Sequence, residues 1–199
     1  MQRYNFFVVL QSKLENTLLI VQKFYSFLFR LTGWKSSVQA EILPKCVICV
    51  APHTSNWDFV IGQLFYKSIG GDPHILMKKS WFFFPFKYIL KAMGGVPVDR
   101  TKHTSLTEQM KKQFERLSHF QLAIAPEGTR KKNPKWKSGF YYIAWEACVP
   151  ITLAYLDYAK KIIGVIENFI PSGNVQGDIE IIKQKYKYIV GRKPAQFAI

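Results

Sequence analysis

Short apolar runs alternate along this chain with longer segments whose apolar residues return every three or four positions. The runs at 46–51, 74–78, 95–98, 122–125, 151–156 and 161–166 have the length and aliphatic content of strands. The segments 57–69, 84–93, 105–117 and 138–148 read as helices. Ser105-x-x-Glu108 is a capping-box pattern placed just before the apolar stripe Leu106, Met110, Phe114 and Leu117. In 57–69 the stripe is Trp57, Ile61, Leu64, Phe65 and Ile69, with Asn56 or Ser55 expected as N-cap. Residues 32–44 read as a loop. Strands alternating with helices predict an α/β fold with a mixed central sheet flanked by helices.

Ahead of that alternation, Phe7, Leu10, Leu14, Leu18, Val21, Tyr25, Leu28 and Leu31 recur at helical spacing, with Lys13, Glu15, Lys23 and Arg30 among them. Residues 1–34 are expected to form an amphipathic helical element and residues 35–199 the main domain. Two readings of the helix stay open: it lies in a membrane interface, or it packs on the core of the domain. No uncharged apolar run approaches the roughly 18 residues of a membrane span. The start also lacks the short apolar block and small-residue cleavage site of a secretory signal.

Charge narrows the partners. The 199 residues carry a formal net charge of +15, which calls for an anionic partner: a phospholipid surface, nucleic acid, or a phosphorylated or acidic carrier substrate. Aromatic residues make up 16%, which tilts the choice toward lipid, although Lys, Tyr and Trp interleaved in a basic chain also suit a nucleic-acid binder. Cys46-x-x-Cys49 has redox or zinc spacing. On a strand, however, residues three apart face opposite sides, and no second ligand pair follows, so core packing is expected and no metal site.

Chemistry concentrates at the ends of the predicted strands. His53 and Asp58 flank four residues directly after the run at 46–51. On one regular helix residues five apart point roughly 140° away from each other, whereas a strand, a short loop and a helix start can bring them together. Asp58 would then fix the tautomer of His53 and leave its other ring nitrogen to take a proton from an alcohol or water. Such a base needs no serine or cysteine nucleophile, because a bound hydroxyl can itself attack. His74, His103 and His119 lack this setting and read as structural or solvated. Gly94 to Arg100 ends a strand on Asp99-Arg100, and Pro126-Glu127-Gly128-Thr129-Arg130 follows another, with Lys131 and Lys132 extending the charge. Arginine suits phosphate because its planar fork donates two parallel hydrogen bonds. Gly128 would let a ligand approach the backbone. Ligands of open α/β sheets sit beyond the carboxyl ends of strands, where His53, Arg100 and Arg130 would all lie.

Four blocks in order, His53-x4-Asp58, Gly94 through Arg100, Pro126 through Arg130 and Val149-Pro150-Ile151, resemble the signature of the glycerophospholipid acyltransferase family. Its best-known members are 1-acylglycerol-3-phosphate acyltransferases. The resemblance covers about residues 46–155. It implies that His53 is the general base and Asp58 its partner. It also implies that Arg100 and Glu127-Gly128-Thr129-Arg130 hold the acceptor, with Glu127 binding a hydroxyl or bracing the turn. The implied reaction moves an acyl group from acyl-CoA or acyl carrier protein to a lysophospholipid, with no metal or cofactor and no nucleic-acid partner. The implied setting is an anionic membrane surface on the cytoplasmic face. Pro52, Trp57, Lys131 and Leu153 depart from the usual pattern, where Asn commonly precedes the histidine, Ser follows the arginine and a second proline closes the last block. The departures keep another lysolipid or an aminolipid open as acceptor.

Overall fold

The computed structural model describes residues 2–98 and 105–199, and side chains from residue 16 onward apart from residue 78. Asp99, Arg100 and His103 lie outside the described residues. A helix, α1 (Gln2–Leu31), leads into seven strands: β1 (Lys35–Val38), β2 (Lys45–Ala51), β3 (Pro73–Lys78), β4 (Gly95–Val98), β5 (Phe120–Ile124), β6 (Ile151–Asp157) and β7 (Ile162–Phe169). Between and after them come α2 (Trp57–Ser68), α3 (Phe86–Ala92), α4 (Leu106–Arg116), α5 (Gly139–Glu146) and α6 (Val175–Lys185). The strands form one sheet in the order β1-β7-β6-β2-β5-β3-β4. β2 through β6 run parallel, and β7 turns back antiparallel to β6, so the sheet is mixed, as the strand and helix alternation predicts.

Both faces of β2 are buried, which is why it reads as an unbroken apolar run. Cys46 and Ile48 join Phe29, Phe65 and Leu156 on one face, while Val47, Cys49 and Ala51 join Phe114, Phe120 and Tyr141 on the other. The two cysteines therefore point to opposite sides. Burial pushes the Cys46 thiol up to about 11 and Cys49 higher still, which keeps both protonated in the core.

The right-handed rule for parallel crossovers puts α2 and α3 on one face, since β2 to β3 and β3 to β4 step the same way across the sheet. α1 packs beside α2 on that face, through Phe29 on Phe65 with ring centroids 5.9 Å apart. Steps in the opposite direction place α4 and α5 on the other face. Ser105 caps α4 by accepting the Glu108 N–H at 3.1 Å, as the capping-box pattern predicts.

The structure also departs from the sequence reading. Residues 35–38, expected as loop, form β1, which pairs with β7. α6 is an additional helix, capped by Asn174. α1 is helical, and among its described side chains the stripe read from its spacing is split, with Tyr25 and Leu28 half-buried and Tyr25 lying under Lys67 of α2. Gln22 and Ser26 donate to the Ser68 carbonyl at 3.2 and 3.1 Å, and Phe29 is buried beside them, while Leu18, Val21 and Leu31 stay exposed. No described helix is long and apolar enough to cross a membrane.

Candidate active site

Parallel strands deliver their carboxyl ends to one edge of the sheet, and at that edge β2, β5 and β6 lie side by side. β2 ends at Ala51 and releases His53, β5 ends at Ile124 and releases Glu127, and β6 ends at Asp157 and releases Tyr158. Residues far apart in sequence thus meet through topology alone.

The turn from β2 into α2 is built around the Asp58 carboxylate. Asp58 sits in the first turn of α2, where the helix dipole favours negative charge, and it is 3% exposed. Its Oδ2 accepts the Thr54 and Ser55 backbone N–H groups, each at 2.9 Å, and faces His53 Nδ1 at 3.1 Å. Its Oδ1 accepts the Tyr158 phenol at 2.6 Å. Four donors converge on one buried carboxylate. The expected side-chain cap from Asn56 is absent, because Asn56 already has helical dihedrals. Ser55 Oγ instead takes the Trp57 N–H at 3.2 Å, and Asp58 reaches back over the loop. With Nδ1–H donated to Asp58, the neutral imidazole presents Nε2 as its proton acceptor. The His53 side chain is 28% exposed, so a substrate can reach it while its partner stays dry.

Glu127 ties the second turn to the first. Its Oε1 accepts the His53 backbone N–H at 2.8 Å, while Oε2 is buried without a hydrogen-bond partner in the described structure. Burial pushes its carboxyl up to about 7; the His53 N–H and ring draw it partly back, and Asp58 opposes them. This contact ties the turn that carries Arg130 to the loop that carries His53. Gly128 follows with φ +64°, a left-handed conformation, and the Lys137 side chain lies across it where a Cβ would sit 2.8 Å from Lys137 Cδ and Cε. Asn133 closes the loop by donating to the Glu127 carbonyl at 2.9 Å. Thr129 and Arg130 are exposed beyond that brace, and Thr129 Oγ1 accepts the Lys131 N–H at 3.2 Å. The structure thus brings His53, Asp58 and Glu127 into direct contact and puts Gly128, Thr129 and Arg130 on the turn that Glu127 anchors.

Three neighbours escape a reading of the sequence. Tyr158 is one hundred residues from Asp58, and burial followed by donation to that carboxylate raises its phenol well above the ordinary tyrosine range. Arg192 reaches Ser55 Oγ at 3.4 Å and stacks 5.7 Å from the centroid of the Trp57 ring. Gly191 makes this approach possible, since a Cβ there would meet Thr54 Oγ1 at 2.9 Å and Pro52 Cβ at 3.0 Å. Lys137 is the third. Only the basic, aromatic character of these residues was visible beforehand; nothing local in the sequence pairs them with positions 53–58. His74, by contrast, lies half-buried against the Phe120 ring, and His119 meets Ser118 at 3.2 Å, both away from the site.

Among the described residues no cluster of His, Cys, Asp or Glu could hold a metal ion. What the site offers is a partly exposed imidazole facing a buried carboxylate, beside cationic side chains, at an open edge of the sheet.

A family model described as Acyltransferase matches residues 35–155, more than half of the chain. No curated protein sequence matches it. Among solved structures, the fold is similar to that of the 1-acyl-sn-glycerophosphate (LPA) acyltransferase PlsC from Thermotoga maritima. The TM-score is 0.56 at 17% sequence identity, over 92% of this chain and 86% of that one.

Proposed function

The chain belongs to the acyltransferase family, and from that premise we propose that it moves a fatty acyl group from an acyl thioester to the hydroxyl of a lysophospholipid such as 1-acylglycerol-3-phosphate. The donor is acyl-CoA or acyl carrier protein. The observation that carries this reading is the 3.1 Å approach of His53 Nδ1 to a buried Asp58 carboxylate that is already held by three other donors.

The acceptor O–H is positioned against His53 Nε2. As its oxygen attacks the thioester carbonyl, the proton passes to Nε2, and Asp58 stabilises the imidazolium that forms. The tetrahedral intermediate collapses, the C–S bond breaks, and the thiolate takes the proton back from His53 as the ester is released. General-base help supplies roughly 10²- to 10⁴-fold. Orientation of the two substrates supplies much of the remainder. Arg100 and Arg130 grip the acceptor's phosphate by bidentate hydrogen bonding, Glu127 holds the turn that carries Arg130, and no metal or cofactor takes part.

α1 supports a peripheral place on an anionic membrane. It meets the domain through Gln22, Tyr25, Ser26 and Phe29 and turns Leu18, Leu19, Ile20, Phe24 and Phe27 outward, a second apolar face that the core does not use. The direct test is to incubate the purified protein with a mixture of lysolipids and either acyl-CoA or acyl carrier protein thioester, and to identify products by mass spectrometry. A new diacyl phospholipid is expected; free fatty acid alone would make the protein a thioesterase instead.

A further inference from the structure

Resting on the proposed work at a membrane, the geometry points to a second bilayer-docking surface, separate from α1: the aromatic segment 81–89 on the far side of α2, fitted to an anionic phospholipid interface.

Between Asp72 and Asp99 the chain has no acidic residue, and it carries Trp81-Phe82-Phe83-Phe84-Pro85-Phe86 followed by Tyr88 and Ile89. One of these rings turns inward: Phe82 lies over Gly95, where a Cβ would sit 3.1 Å from its ring. The others face solvent. Trp81, Phe83, Phe84, Phe86, Tyr88 and Ile89 are each more than half exposed, with Phe84 at 75%. They pack on one another, Phe83 against Phe86 at 5.1 Å and Phe84 against Tyr88 at 6.4 Å. Contiguous apolar surface of this kind marks an interaction site.

Charge and position select the occupant. Lys87 lies 4.9 Å from the Tyr88 ring, and Lys91 is exposed one turn further along α3, so the aromatic cluster is rimmed by cations with no acid in its own segment. An isologous contact with a second copy would set these lysines against each other in a chain of net charge +15, whereas an anionic lipid surface complements them. Tryptophan and tyrosine over lysine is also the composition of membrane–water interfaces.

The segment shares its layer with α1. Lys67 of α2 lies 5.2 Å from the Tyr25 ring of α1 and donates to the Ala92 carbonyl at the end of α3 at 3.4 Å. It also leaves β3 at the same edge of the sheet at which β2 releases His53, because the strands run parallel. Trp57 and Val60, at the start of α2, are exposed too, and Trp57 directly precedes Asp58. Docking through 81–89 would therefore hold the mouth of the site at the lipid surface, where an acceptor's hydroxyl and phosphate reside.

The experiment uses the full chain and vesicles of phosphatidylglycerol and phosphatidylcholine, read by co-sedimentation, with acyl transfer to a monomeric short-chain lysolipid as a second readout. Combined Phe83→Ser, Phe84→Ser and Tyr88→Ser should lower partition about tenfold or more and raise the KM for a vesicle-borne acceptor, while kcat on the monomeric acceptor holds. Should that variant fail to fold, Lys87→Glu with Lys91→Glu should weaken binding to the anionic vesicles but not to pure phosphatidylcholine. Partition within twofold of the unaltered chain in the aromatic variant, or in the lysine variant if the aromatic one does not fold, would overturn the inference, as would loss of a dimer in solution with vesicle binding intact. A parallel Leu19→Ser, Phe24→Ser variant separates the two readings. If only it loses partition, α1 docks alone and this inference fails; if no variant loses any, docking at a membrane itself is wrong.

Discussion

Tyr158 donates its phenol to Asp58 Oδ1 at 2.6 Å, so the carboxylate that faces His53 is gripped from β6 as well as from its own loop. The neighbouring oxygen, Oδ2, carries the His53 contact and two backbone N–H groups. One oxygen orients the base and the other is pinned so that the first cannot swing away.

Tyr158→Phe removes that pin and leaves a buried carboxylate oxygen without a donor. Hydrogen bonds to charged groups contribute about 1.5–3 kcal/mol, and denaturant unfolding should show a loss of that size. Because the imidazole then loses its fixed aim, kcat should fall about tenfold with KM for both substrates little changed. A large rise in acceptor KM instead would place Tyr158 against the substrate.

Glu127 predicts how stability depends on pH. In the unfolded chain its carboxyl loses the proton near 4.5, whereas burial holds the proton in the fold up to about 7. Between those values the folded state binds more protons than the unfolded one, so this group makes stability fall as pH rises through the window. The penalty is absent below about 4.5 and complete above about 7, and it amounts to at most about 3.5 kcal/mol. Glu127→Gln keeps an acceptor for the His53 N–H but cannot ionise. Its unfolding free energy should vary less between pH 4.5 and 7 than that of the unaltered protein, and equal slopes would contradict the assignment.

Gly128→Ala forces a side chain into a left-handed conformation and into Lys137. The conformation alone costs about 1–2 kcal/mol. Thermal unfolding should shift down accordingly, and because the turn carries Arg130, the KM for a phosphorylated acceptor should rise.

Arg130→Ala should raise that same KM by about tenfold or more, as loss of a charge-assisted pair does, with kcat and the KM for the acyl donor close to unaltered. Acceptor kinetics that do not change would remove Arg130 from the phosphate site.

Legibility followed locality. The strands and helices with strong periodicity, and the His53–Asp58 spacing, depend on neighbours within a few residues, and the sheet confirms its elements to within a residue or two at most boundaries. β1 was hidden because Lys35–Val38 is a short, mostly exposed edge strand with no apolar alternation to reveal it. α6 was hidden because Gly177 and several polar residues dilute its stripe. Tyr158 and Arg192 reach the site only because parallel strands end at one edge and the chain returns there, which is a property of the whole sheet. The outward-facing aromatics of 81–89 stood in plain sight as a run, but a run does not show which way its rings point.

The central claim is that the His53 imidazole removes the acceptor's proton, and the most direct measurement is the single-turnover rate of acyl transfer for the unaltered protein and for His53→Ala, with unfolding curves taken in parallel. The account predicts a fall of about 10²- to 10⁴-fold with folding intact. Wild-type turnover in the folded variant would contradict it.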